Sequence, residues 1–125
     1  MMIEVSTAEV LDKLSILRIK LEFITQPEKI DNIRKEHNHI SEQCQTILQN
    51  KDIAELYKQL LNTNKTLWRI EDGIRFKEKE KAFDENFIQL ARKVYQTNDQ
   101  RSEIKKRINT LTESNFTEEK SYTEY

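Results

Sequence analysis

Ser6-Thr7-Ala8-Glu9-Val10-Leu11-Asp12-Lys13-Leu14-Ser15-Ile16-Leu17-Arg18-Ile19-Lys20-Leu21-Glu22-Phe23-Ile24 is the stretch whose reading decides the fold class. Ser6 and Glu9 stand in the Ser-x-x-Glu relation of a capping box, in which each side chain satisfies an amide donor left over at a helix start. Apolar residues follow at Val10, Leu14, Leu17, Leu21 and Ile24, in alternating steps of four and three. That spacing keeps one helix face against a partner. A second stripe, Ile16, Ile19 and Phe23, widens the apolar face, so this helix is expected to lie between neighbours.

The same reading extends outward. Pro27 ends the first helix and opens the second, where its missing N–H costs nothing, and Thr25 with Glu28 is expected to cap that start. The second helix carries Ile30, Ile33, His37, Ile40, Cys44 and Ile47 on one seam, to about Asn50. A third is expected to start with Asp52 and Glu55 as caps, with Ile53, Leu56, Leu60, Thr63, Leu67, Ile70 and Ile74 as its seam. Beside that seam run Tyr57, Leu61 and Trp68. The fourth starts at Asp84, with Phe83 and Ile88 as a hydrophobic staple, and carries Phe87, Leu90, Val94, Ile104, Ile108 and Leu111. Residues 114–125 lack periodicity and read as a C-terminal tail on a helical domain spanning residues 1–113.

Composition agrees with an all-α class. Of the residues, 34% are charged and only 36% hydrophobic, values that suit disorder when apolar residues are scattered, which here they are not. One glycine and one proline in 125 residues exclude a turn-rich β fold. The expected architecture is long antiparallel hairpins forming a four-helix bundle. Because the hairpins leave apolar stripes unpaired, completion by homo-oligomerisation is expected over a self-contained monomer.

Net charge is −1, from 21 basic and 22 acidic residues, so no global field draws the chain to nucleic acid or to an acidic membrane. Cys44 stands alone and cannot close an internal disulfide. No signal pattern and no apolar run of about 20 residues occur, and a cytoplasmic location is expected.

Candidate chemistry lies where apolar stripes turn polar. On the third helix Tyr57, Leu61, Asn64, Trp68, Asp72 and Arg75 share roughly one face. On the fourth, Ile88, Ala91, Tyr95, Asn98 or Asp99, and Ser102 do the same. A turn near residue 83 would set Trp68 level with about Asn98, and Asp72 level with Val94 or Tyr95. Asp12, with Lys13 beside it, adds a carboxylate from the first helix. Charges beside core stripes are costly unless paired or bound. Two readings follow: Asp72, Arg75, Asp99 and Arg101 form an ion-pair network that sets helix register, or they line a pocket for a polar anionic ligand.

In the pocket reading, Arg75, Arg101 and Lys105 meet phosphates, Trp68 or Tyr95 stacks a ring, and Asp72, Asn98 or Asp99 holds hydroxyls or a base edge. Arg101 and Lys105 lie one helical turn apart, within the basic stretch from Arg92 to Arg107. Gly73, the sole glycine, sits inside a helix at a cost of about 1 kcal/mol and invites a close approach. Metal signals are weak. Glu36 and His39 make one Glu-x-x-His step where a bundle di-iron site needs two. The Glu9-x-x-Asp12 step and the Glu71-Asp72 pair, with Asp99, could hold Mg²⁺ only as half of the acidic set of all-α nucleotide pyrophosphohydrolases.

Four stretches, taken together, carry a resemblance: Val5-Ser6-x-x-Glu9-x-x-Asp12-Lys13-x-x-Ile16-Leu17, Leu67-Trp68-x-Ile70-Glu71-Asp72-x-Ile74-Arg75, Thr97-Asn98-Asp99 and Glu118-Glu119-Lys120-Ser121-Tyr122. They resemble an uncharacterised family, a domain of unknown function, of short helical proteins from bacteria, DNA viruses and phages. The resemblance covers nearly the whole chain. It implies that the polar cluster and the tail coincide with the family's motif positions, without naming a ligand.

The leading expectation is a non-catalytic, oligomeric binding protein for a phosphorylated, nucleotide-like small molecule, without cofactor. Its site residues are Asp12, Lys13, Trp68, Glu71, Asp72, Arg75, Tyr95, Asn98, Asp99, Arg101 and Lys105. The alternatives are an Mg²⁺-dependent nucleotide hydrolase using the same pocket, and a helical scaffold with no ligand.

Overall fold

A computed structural model describes residues 1–125. The chain is all-helical and has no strand. Its four helices are α1 (Thr7–Phe23), α2 (Pro27–Cys44), α3 (Lys51–Lys79) and α4 (Glu85–Leu111), with a single 3₁₀ turn (Ile47–Gln49) before α3. No helix is long and apolar enough to cross a membrane.

The helices pack as a bundle in which α1 touches each of the other three. Its burial follows from that position. Ala8, Leu11, Leu14, Leu17 and Ile19 are all buried, more of the circumference than a two-stripe surface helix would hide. Leu11, on neither expected stripe, is fully buried. The core joins Ala8, Leu11 and Leu14 to Cys44 of α2, to Ile53, Leu56 and Leu60 of α3, and to Ile104 and Ile108 of α4. Burial pushes the Cys44 thiol up, which makes it a core residue with little thiolate character.

Helix ends differ from the expected caps in specific ways. At α1 the Ser6 hydroxyl accepts from the Glu9 amide at 3.3 Å, so half of the capping box forms. The Glu9 carboxylate is drawn to Lys105. The other first-turn donors find distant partners: the Thr7 amide donates to Ser114 Oγ at 3.1 Å and the Ala8 amide to Asn109 Oδ1 at 3.0 Å. The start of α1 is thus capped by residues more than 100 positions away.

At α2, Gln26 takes the cap position without a side-chain bond, and the expected Thr25–Glu28 pair does not cap. This helix ends at Cys44, short of Asn50, because the chain must turn into α3. At α3 the cap is Asn50, whose Oδ1 accepts from the Asp52 and Ile53 amides, in place of Asp52 and Glu55. Asp84 caps α4 as expected, accepting from the Phe87 amide at 3.0 Å. Phe83 and Ile88 stay largely exposed, and the Phe83 ring packs edge-on against Phe87.

Both long helices end in the same motif. Lys81 (φ 55°) follows α3 and Glu113 (φ 51°) follows α4, each in left-handed backbone. The Ala82 amide donates to the Lys77 carbonyl and the Lys81 amide to that of Glu78; Ser114 and Glu113 repeat the pattern on Asn109 and Thr110. This is the Schellman arrangement, built here without glycine. Gly73 serves elsewhere: a Cβ on it would stand 3.3 Å from Leu90 Cδ1, so it admits α4 close to α3.

The Phe23 ring at the end of α1 stacks against the Trp68 indole, and beyond that level burial along α3 and α4 thins. In this arm α3 buries only Ile70, and α4 buries nothing before Thr97.

Candidate functional site

The polar residues meet at the α1–α3–α4 junction. Asp12 reaches the buried face of α1 because it sits one residue after Leu11 and two before Leu14. Its carboxylate accepts from Arg101 Nε at 3.0 Å and, with its other oxygen, from Arg101 Nη2. Asn64 of α3 donates to Asp12 Oδ1 at 2.9 Å and to Ser15 Oγ at 2.7 Å, and Ser15 Oγ donates to the Asp12 carbonyl. One turn away, Lys105, whose side chain is 5% exposed, donates to Glu9 at 2.8 Å and to Glu118 of the tail at 3.0 Å. Every buried side-chain polar atom has a partner, as a stable buried network requires.

Electrostatics follow this pairing. Burial would lower the Arg101 and Lys105 pKa values. The hydrogen bonds and charge of Asp12, and of Glu9 and Glu118, outweigh it and hold both cations above their ordinary values. Lys105 in turn holds the Glu118 carboxyl below its ordinary range.

Against this network lies a cleft of about 470 Å³. Ile16, Ile19, Leu67 and Trp68 form its apolar lining, Asn64 and Arg101 stand at its inner end, and Glu71, Asp72 and Arg75 line its rim. The rim is wet: Asp72 is exposed, and the Arg75 side chain is 81% exposed, 3.6 Å from Glu71 on its own helix.

The cluster expected from the sequence divides in two. Trp68, Glu71, Asp72, Arg75 and Arg101 share the cleft, with Asp12 behind Arg101. Tyr95 and Asp99 do not join them. They line a separate cleft of about 840 Å³ with the tail residues Lys120, Tyr122 and Tyr125. There the Tyr125 hydroxyl donates to Asp99 at 2.6 Å and its ring meets that of Tyr95 edge-on, at 5.1 Å. Pairing along α3 and α4 set the height of these residues, but Tyr95 and Asp99 point to another side of α4.

The expected network of Asp72, Arg75, Asp99 and Arg101 does not form, since Arg75 pairs with Glu71 and Arg101 with Asp12. Lys13 faces away, 3.5 Å from Glu36 of α2. Asn98 is half-buried and lines neither cleft. Lys105 is enclosed by Glu9 and Glu118 and is not open to the cleft.

No three His, Cys, Asp or Glu side chains come together as a metal-holding group. The acids needed for Mg²⁺ are dispersed: Asp12 is engaged by Arg101, and Asp99 lies in the other cleft.

Ser15 and Asn109 are the participants that the sequence does not bring forward; Glu9 stands there only in the Mg²⁺ set, Asn64 only on the α3 face, and Glu118 only in the tail stretch that carries the resemblance. Asn64 was signalled by its place in an apolar stripe. Glu9 and Asp12 face one way at i, i+3, matching Arg101 and Lys105 at i, i+4 on a second helix. Nothing local signals Asn109 or Glu118.

No curated protein and no solved structure matches this chain. A family model does match, over residues 1–125 and so over the whole chain: the protein belongs to the family of unknown function DUF6165.

Proposed function

We propose that the protein is a non-catalytic binder of a phosphorylated, nucleotide-like small molecule, held in the cleft between α1, α3 and α4. The observation that carries this reading is Trp68 on an apolar lining with Arg75, Asp72 and Arg101 around it. The cleft's volume lies within the range of about 300–1,000 Å³ that small-molecule sites occupy. A flat ring has Trp68 and the aliphatic residues to lie against, although one indole face already stacks on Phe23 at 5.7 Å.

Arg75 is the available cation. Its pairing with Glu71 is an exposed i, i+4 contact of a few tenths of a kcal/mol, readily exchanged for a phosphate. Arg101 commits Nε and Nη2 to Asp12, leaving Nη1 to donate. Asp72 is placed at the rim to accept from ribose hydroxyls. In this reading the helices pair antiparallel as two hairpins, further copies complete the bundle, and the work is cytoplasmic.

Trp68 is the only tryptophan, so its fluorescence reports on the cleft directly. Titration with a panel of nucleotides, with and without Mg²⁺, should quench or shift that emission and raise the melting temperature through mass action. Arg75→Ala should keep the fold and lose most of the response. Unchanged emission and melting across the panel would sink the reading, and conversion of a bound nucleotide to product would replace it with the hydrolase.

A further inference from the structure

The arm formed by α3 beyond Trp68 and by α4 before Thr97 is a two-helix segment with an unfinished core. About eleven residues of α3 extend past the Phe23–Trp68 stack, some 16 Å at 1.5 Å per residue. Near its tip Phe76 is 61%, Phe83 55% and Ile88 48% exposed, and Phe87 and Leu90 are only half-buried. Two helices cannot enclose side chains of this size; four can.

We infer that this arm is a homodimerisation surface, on which the arm of a second copy packs to complete an intermolecular four-helix bundle. The inference rests on the assembly part of the proposed function, which it localises, and is independent of the ligand.

The exposed area supports a second copy. The chain presents 9143 Å² of surface. A monomer of its 15.0 kDa mass would be expected to present about 7,000 Å². The surplus, about 2,000 Å² over the whole chain, leaves room for the roughly 1,000 Å² or more that each partner of an obligate homodimer buries.

Charge favours a copy of this chain over a membrane surface. Between Arg69 and Lys93 the arm carries seven basic and six acidic residues, interspersed. Such a surface has little attraction for anionic lipid. Lys77 and Lys81 already pair with Asp84 and Glu78 in their own chain, whereas Lys79, Arg92 and Lys93 pair with no acid and can meet Glu80 and Glu85 of a second copy. Asp72 and Arg75 stand at the root of the arm, so an apposed copy would also approach the open side of the cleft.

The test is sedimentation equilibrium of the full chain, beside Phe76→Glu with Ile88→Glu. Both residues are already exposed in the single chain, so the double variant should keep its helical circular dichroism. The expected result is a wild-type mass of twice 15.0 kDa. The variant's dimer dissociation constant should rise by roughly 30-fold or more, as when a central apolar anchor is lost. A wild-type chain that stays monomeric, whether or not it pellets with vesicles of phosphatidylcholine and phosphatidylglycerol, overturns both this inference and the assembly reading. An oligomer that the double variant leaves intact overturns the arm alone and moves the interface elsewhere.

Discussion

Asp12 and Arg101, 89 positions apart, meet as a two-pronged ion pair where α1 faces α4, with Asn64 completing the acid's coordination from α3. Three helices are fixed in register by one carboxylate. Planar guanidinium and carboxylate match in two parallel hydrogen bonds, a geometry that lysine could not reproduce. Arg101 of this pair also stands at the inner end of the Trp68 cleft, with Asp12 behind it, so the contact that sets the bundle's register sets the depth of the site.

Removing one partner should cost far more than removing both. Asp12→Ala strands the Arg101 guanidinium and the Asn64 amide in a largely buried place, and should destabilise by about 3 kcal/mol or more. Asp12→Leu combined with Arg101→Met removes both charges and should recover most of that loss. Urea unfolding of the single and double variants measures the coupling. If Asp12→Ala lies within about 0.5 kcal/mol of wild type, as ordinary surface changes do, the pair is a solvated contact and not the register device.

The tail should respond to acid in one direction. Lys105 holds the Glu118 carboxyl below its ordinary value, so Glu118 binds protons less readily folded than unfolded. Its stabilising contribution is therefore fully present above the ordinary carboxylate range and disappears as pH falls through the lowered folded value. Lys105 has the opposite sign: its raised pKa keeps its contribution below the ordinary lysine range and loses it as pH climbs past the raised value. Backbone order of residues 114–125, read from ¹⁵N relaxation, should fall on acidification before that of α4. Glu118→Gln should show the looser tail already at neutral pH, and a tail whose order ignores both changes would contradict the Lys105–Glu118 tether.

Much of this was legible because helix period and cap chemistry are local. Apolar spacing locates all four helices, and Asp84 is readable as a cap because the apolar run of α4 starts three residues after it. Asn50 was missed in favour of Asp52 because several cap-competent residues lie within two positions of each other. The start of α1 was beyond any local reading, because Asn109 and Ser114 satisfy its amides through tertiary contact. The division of the site has a similar cause. Counting residues from the turn gives position along α4 but not direction around it, so the count brings Asp72 and Tyr95 to one height and wrongly to one side. Lys105 reads as an open phosphate contact because the tail, though its two tyrosines make docking an option, has no periodicity to show that Glu118 would fold back onto α4.

The glycine economy of the arm yields the last expectation. Lys81 holds left-handed backbone at the end of α3, where a side chain costs roughly 1 kcal/mol and glycine nothing comparable. Lys81→Gly should therefore stabilise, by about 0.5–1 kcal/mol after glycine's larger unfolded-state entropy is subtracted. Gly73 presents the reverse case. Alanine there regains about 1 kcal/mol of helix propensity, but its Cβ would sit 3.3 Å from Leu90 Cδ1. The obstructing atom is the far end of a flexible, half-buried side chain. Gly73→Ala should thus come out stabilising by about 0.5 kcal/mol, read as a raised melting temperature at matched protein concentration. A loss of stability would mean that Leu90 is held in place, and that close packing of α3 on α4 at this level is what requires the glycine.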